Sequence, residues 1–167
     1  GIELEYSSNN DISACNIYNN SRYGIYLYYS SNNNISVCNI YNNYYGIYFR
    51  SSSNNQVHYC NIYNNTNYGI YNYNSEFEYR VNAIYNWWGS ASGPGGAGPG
   101  TGNSVSTNVI YHPWLTEPVN IPPPNMPPIA FFVYSPTSPI VSDIIQFTDT
   151  SYDGEGYIAS WFWDFGD

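Results

Sequence analysis

The sequence predicts an all-β protein: a parallel β-helix of about four to five coils over its first two thirds, then a short second β unit beyond a proline-rich tether. Three observations carry that expectation. Near-copies of one segment begin at Gly1, Gly24, Gly46 and Gly69, a period of about 22–23 residues that few repeat architectures share. Within each copy apolar and polar residues alternate, as short strands require. Helix formers are scarce: there is no lysine and little leucine, whereas helices draw on Leu, Ala, Glu and Lys. A leucine-rich repeat would need a leucine ladder, and helical repeats a longer unit with helical periodicity.

The copies are GIELEYSSNNDISACNIYNNSRY (1–23), GIYLYYSSNNNISVCNIYNNYY (24–45), GIYFRSSSNNQVHYCNIYNNTNY (46–68) and the decaying GIYNYNSEFEYRVNAIYNWWG (69–89). Alternation turns Ile2 and Leu4, Ile25 and Leu27, and Ile47 and Phe49 inward. After the SSNN corner the inward columns are Ile12, Ile35 and Val57, then Cys15, Cys38 and Cys60, then Ile17, Ile40, Ile62 and Ile84. Each column should stack at roughly 4.8 Å per coil. Asparagine outnumbers even the 21 tyrosines, and it suits corners because it tolerates left-handed backbone and its amide can bond the amide above. Asn9, Asn32 and Asn54 are expected to form one amide ladder, and Asn20, Asn43 and Asn65 another. In the fourth copy Asn82 is expected at the cysteine position.

The recurrent NN-x-I-x-x-C-N-I-Y-N-N…G-I-Y pattern resembles the right-handed parallel β-helix repeats of the NosD-like and pectate-lyase-like superfamily, over about residues 1–115. That resemblance implies a right-handed coil. It leaves the role open among lyases, hydrolases, adhesins and surface proteins. The stretch 86–116 resembles the terminal coil of such proteins, with Trp87, Trp88 and Trp114 expected to cover the open apolar end. The predicted domains are thus a β-helix over 1–116 with its cap at 86–116, a tether at 117–128 (EPVNIPPPNMPP), and a second unit at 129–167.

The second unit reads as three strands, IAFFV, IIQFT and YIASWFW, with turns at SPTSP and SYDGEG. FTDTS…DGEG…WxWDFGD, ending in Trp163, Asp164, Phe165, Gly166 and Asp167, closely resembles a polycystic-kidney-disease (PKD) domain. This implies part of an immunoglobulin-like β-sandwich, of the kind carried by archaeal and bacterial surface proteins. The strands that would follow WDFGD are missing, so the sheet is expected to be completed elsewhere.

Charge excludes some functions. A formal net charge of -9 argues against a nucleic-acid partner. No apolar run approaches the roughly 20 residues of a membrane span. With no initiator methionine or leader, the chain reads as a mature or trimmed segment. The acids Glu3, Glu5, Asp11, Glu76 and Glu78 offer no carboxylate pair across a sugar, as glycoside hydrolysis needs, and the chain is expected not to be an enzyme. His58 and His112 have no partner at metal-ligand spacing. The cysteines are expected to be free interior thiols. No cofactor is expected. The acidic turn with Asp149, Asp153 and Glu155 is the one place where a calcium ion could sit, and such turns are more often only turns.

The tyrosines are the informative surface. Tyr26, Tyr48 and Tyr71 line up outward behind Glu3; Tyr28, Arg50 and Tyr73 behind Glu5; and Tyr18, Tyr41 and Tyr63, with Tyr85, form a further ladder. Such strips can stack on sugars or pack on protein. N-x-S/T sequons at Asn19, Asn34 and Asn64 fit a secreted glycoprotein, with Asn34 the preferred acceptor because it leaves a corner facing outward. Together these features predict an extracellular or cell-surface structural or adhesion protein. Its expected partners are copies of itself, other surface proteins or glycans, and two unlike open ends suggest head-to-tail assembly. The alternative is a carbohydrate-binding or carbohydrate-active protein whose catalytic part lies elsewhere.

Overall fold

The computed structural model describes residues 1–121, 130–151, 160, 162–164 and 166. The chain divides into two compact units, Gly1–Pro123 and Pro124–Asp167. In the first unit three strands make each of the first three coils. Coil 1 holds β1 (Ile2–Glu5), β2 (Asp11–Ser13) and β3 (Asn16–Tyr18). Coil 2 holds β4 (Tyr23–Tyr28), β5 (Asn34–Ser36) and β6 (Asn39–Tyr41). Coil 3 holds β7 (Tyr45–Arg50), β8 (Gln56–His58) and β9 (Asn61–Tyr63). Coil 4 keeps β10 (Tyr68–Asn72) and β11 (Val81–Asn82), joined through a 3-10 turn at Phe77–Tyr79. A closing segment adds β12 (Pro94–Gly96), β13 (Gly102–Val105) and β14 (Val109–Ile110).

Equivalent strands stack into three parallel sheets, β1-β4-β7-β10-β13-β12, β14-β11-β8-β5-β2 and β3-β6-β9. The result is a β-solenoid of about four turns, as the repeat requires. Among the described residues there is no α-helix, and no helix long and apolar enough to cross a membrane. Register puts like on like: Ile2, Ile25, Ile47 and Ile70 form one inward column, and Ile17, Ile40 and Ile62 another. Ile25, Leu27, Ile35, Ile40, Ile47, Phe49, Val57 and Ile62 are fully buried, and each contributes about 1.5–3 kcal/mol of transfer free energy. Gly24 and Gly46 are dictated by close approach, since a Cβ would lie 2.5 and 2.4 Å from a carbonyl oxygen of the next coil.

The corners correct one expectation. Asn9, Asn32 and Asn54 do not form the amide ladder; they take left-handed backbone, with φ of 63, 58 and 54°. Their successors make the ladder: Asn10 Nδ2 donates to Asn33 Oδ1 at 2.9 Å, and Asn33 Nδ2 to Asn55 Oδ1 at 3.0 Å. The other ladder stands as expected, Asn20 to Asn43 to Asn65 at 2.8 and 3.0 Å, and continues to Asn103 at 2.7 Å. There too the preceding Asn19, Asn42 and Asn64 hold φ of 57, 56 and 54°. In every NN pair the first residue bends the chain and the second ties the coils together.

The fourth coil corrects another. Asn82 lies eleven positions after Tyr71, whereas their register partners Gln56 and Tyr48 are eight positions apart. The extra length around the 3-10 turn shifts everything after it. Asn82 pairs with Gln56, not with Cys60. Asn86 takes the cysteine place instead: its Oδ1 accepts from the Cys60 N–H at 2.9 Å, and its Nδ2 donates to Val57 O at 2.7 Å. Ile84 leaves the core, and Trp88, fully buried, follows Ile62 because Trp87 bridges Asn61. Trp87 is therefore not part of the cap; it lies on the outside against Tyr63. Trp114 does pack on the core, with its Nε1 donating to Ala91 O at 3.2 Å. Val119, inside the predicted tether, exchanges two 2.8 Å hydrogen bonds with Asn61. Residues 122–128 of that tether lie outside the described residues.

In the second unit β15 (Phe132–Ser135) pairs antiparallel with β16 (Gln146–Asp149). Both begin later than the sequence pattern suggests. Phe132, Phe147 and Trp163 meet with ring centroids 5.6–5.9 Å apart. Most of the third predicted strand lies outside the described residues, and Phe162–Asp164 are not strand.

Candidate functional site

The site is the outer face of the six-stranded sheet. Its middle row runs Glu3, Tyr26, Tyr48, Tyr71 in register, and its outer row Glu5, Tyr28, Arg50. Tyr73 adjoins the outer row, and the Arg50 guanidinium lies 5.3 Å from the Tyr28 ring centre and 5.4 Å from that of Tyr73. The expected strip is thus present, but it is wider than the sequence pattern predicts. A third row, Tyr23, Tyr45 and Tyr68, joins it. Strict alternation would turn these three inward with Ile25, Ile47 and Ile70. The glycine after each one is buried next to a buried isoleucine, which breaks the parity and turns the tyrosine out. The signal was a tyrosine preceding Gly-Ile in every later copy.

The middle and third rows interlock. Tyr23–Tyr26, Tyr45–Tyr48 and Tyr68–Tyr71 ring centres are 4.8, 5.2 and 4.9 Å apart, and Tyr48–Tyr71 5.2 Å. Distances of this kind mark direct ring contact, so six rings form one half-buried surface. Tyr48 is at its centre: burial, then the neighbouring phenols of Tyr23, Tyr71, Tyr45 and Tyr26, push its hydroxyl up to about 12. Burial raises Tyr45 as well. Neutral, crowded phenols present hydroxyl donors and ring faces rather than charge.

A second aromatic file lies on the sheet β3-β6-β9. Tyr18, Tyr41 and Tyr63 stack at 5.1 and 5.0 Å with planes within 8 and 5°. The sequence places Tyr85 at the end of that file, but Trp87 occupies the position, 5.5 Å from Tyr63. Tyr85 stacks instead on Tyr59 at 5.7 Å, a consequence of the fourth-coil shift. Tyr6 and Tyr29 form one more stacked pair at 5.2 Å.

The remaining candidates are dispersed. Asn19 and Asn64 are exposed at corners, whereas Asn34 is half-buried and its amide donates to Asp11 Oδ1 at 3.1 Å. Accessibility therefore ranks Asn19 and Asn64 above Asn34, reversing the preference read from the sequence. Cys15, Cys38 and Cys60 are free thiols, and each donates to the carbonyl two residues before it, at 3.1, 3.2 and 3.4 Å. His58 is half-buried and burial lowers its imidazole below the ordinary value. His112 packs edge-on to Trp114 at 5.2 Å. Asp149 Oδ1 accepts from the Ser151 hydroxyl at 2.6 Å; its companions in the calcium expectation, Asp153 and Glu155, lie outside the described residues. Among the described residues no three His, Cys, Asp or Glu side chains gather as a metal site. At the coil-4 end of the wide face a groove of about 460 Å³ opens, lined by Tyr68, Tyr71, Tyr73, Asn74, Ser106 and Thr107 among others.

The family model described as a right handed beta helix region matches residues 1–111. No curated protein and no solved structure matches the chain.

Proposed function

The chain belongs to the right-handed β-helix family, and from that premise we propose that it is a non-enzymatic structural or adhesion protein of the cell surface, with the wide tyrosine face as its contact surface. A β-helix fits either a structural or a carbohydrate-related role. The observation that carries the proposal is the continuous six-ring surface over Tyr23, Tyr26, Tyr45, Tyr48, Tyr68 and Tyr71. A rigid coil presents it at low entropic cost, because each ring is already held by its neighbours. A PKD-like second unit and glycans at Asn19 or Asn64 belong to the same reading. Antibodies raised against residues 1–121 should label intact cells of the source organism; labelling only after permeabilisation would overturn the surface assignment.

The 460 Å³ groove favours a second reading, carbohydrate binding, since it combines three phenols with hydroxyl and amide groups. A glycan array with wild type and Tyr71→Ala, read beside a reducing-end assay, separates the two. Specific binding lost in the variant supports the carbohydrate reading. Release of reducing ends would replace both with an enzyme.

A further inference from the structure

We propose that the occupant of the β1, β4 and β7 part of the wide tyrosine face is the same three strands of a second copy of this chain, related by a two-fold axis lying along β4. The proposal rests on the reading of that face as a contact surface and names its partner. The observation behind it is the order of charge along the outer row. Glu5, Tyr28 and Arg50 stand in register on β1, β4 and β7, so one strand carries an acid, the next a neutral phenol and the third a base. Both Glu5 and Arg50 are exposed.

A half-turn about β4 leaves each row facing itself and reverses the order of the strands. β1 of one copy then meets β7 of the other, and β4 meets β4. Glu5 falls opposite Arg50 of the second copy, twice by symmetry, and Glu3 falls opposite Tyr48. Tyr26 and Tyr28 face their own counterparts. The arrangement is isologous and self-complementary, as two-fold contacts must be. Keeping the strand order would need a half-turn about an axis across the strands, which reverses the rows; run along the outer row, that axis would place Glu5 on Glu5 and Arg50 on Arg50. The charge pattern therefore favours the half-turn along β4.

Arg50 is also held ready for such a contact. Its guanidinium is flanked by the rings of Tyr28 and Tyr73 at 5.3 and 5.4 Å, which favours a cation and limits its wandering. Parallel sheets are ordinarily covered on both faces, and here the inner face is covered by the coil's own core while the outer one carries the rings. The three facing strands, spaced ~4.8 Å and about six residues long, offer a face of roughly 14 by 20 Å. That is small for a permanent interface, so the dimer is weak and depends on concentration.

Sedimentation velocity of the whole chain over a concentration series at low salt tests this. Wild type is expected to show a monomer–dimer equilibrium with a dissociation constant in the micromolar range, weakened by salt. R50E should raise that constant at least about tenfold, and the charge-swapped double variant E5R/R50E should restore it to within about threefold of wild type. Circular-dichroism melts accompany each variant, and both positions are exposed, so folding is expected to be unchanged. A wild type that stays monomeric throughout overturns the proposal, as does R50E associating like wild type, or a folded double variant that fails to recover. Labelling of intact cells is scored separately. A monomer found at the surface sinks the dimer and keeps the surface reading; a dimer absent from the surface does the reverse.

Discussion

Asparagine is where single residues decide this fold, because two neighbours of the same type do different work. Asn43 is buried: its Nδ2 donates to Ile17 O at 3.1 Å and Asn65 Oδ1 at 3.0 Å, while its Oδ1 accepts from Asn20. Asn43→Ala leaves those groups unpaired and should lower stability by about 2–3 kcal/mol in a denaturant titration. Asn42, at φ 56°, serves only the bend, so Asn42→Gly should be nearly neutral and Asn42→Ala should cost about 1 kcal/mol. Equal costs at both positions would refute the division. The sequence shows that NN marks a corner, but both residues have the same propensities, and only the direction of each amide separates them. Tyr48 supplies a second test. Its phenol holds its proton to about 12 in the folded chain against 10.0 when unperturbed, chiefly through burial. Its stabilising contribution is intact below pH 10 and is lost as pH rises from 10 to 12, because the folded state there binds the extra proton. Spectrophotometric titration should show a late-ionising phenol that disappears in Tyr48→Phe.

Among the elements, the columns of isoleucine were legible because their period is fixed by strand geometry and their neighbours are copies of themselves. Ile40 is fully buried in the middle of its column; Ile40→Asp should cost about 3–5 kcal/mol, an unpaired charge having no partner there. Wild-type melting of that variant would refute the face assignment. The fourth coil was not legible. NAIYNWW imitates CNIYNN well enough to align with it, and nothing in the local pattern reveals that a 3-10 turn at Phe77–Tyr79 has consumed the difference. Spacing from Tyr71 would have been the better guide than similarity of letters. The same parity problem hid Tyr23, Tyr45 and Tyr68, since a glycine inside a strand can reverse which way its neighbour faces.

For the molecule as a whole, the first unit closes on itself through Leu115 N–H donating to Asn86 O at 3.0 Å and Val119 to Asn61 at 2.8 Å. Residues 1–121 alone should therefore fold, with one cooperative circular-dichroism melting transition. A fragment that melts without one would refute that closure. In host-expressed protein, mass spectrometry is expected to find sugar at Asn19 or Asn64 before Asn34, following their exposure; unmodified peptides at all three would remove the glycoprotein part of the proposal.

The ladders make length a quantity that can be dialled. The top and bottom of coil 2 are nearly the same surface: the Asn33 amide meets Asn10 on one side and Asn55 on the other, and Ile40 meets Ile17 and Ile62. A duplicate of residues 24–45 inserted after Tyr45 would create one new junction, coil 2 on itself, in which asparagine still meets asparagine and isoleucine still meets isoleucine, so the chain should accept it, grow by ~4.8 Å, and add one more file of rings to its outer face. Stability should climb by one nearest-neighbour increment. Genes for such rods can therefore lengthen or shorten by slippage in whole coils without passing through an unfolded product, and size among natural variants should come in steps of 22 or 23 residues, the ladder spacings Asn33–Asn55 and Asn10–Asn33.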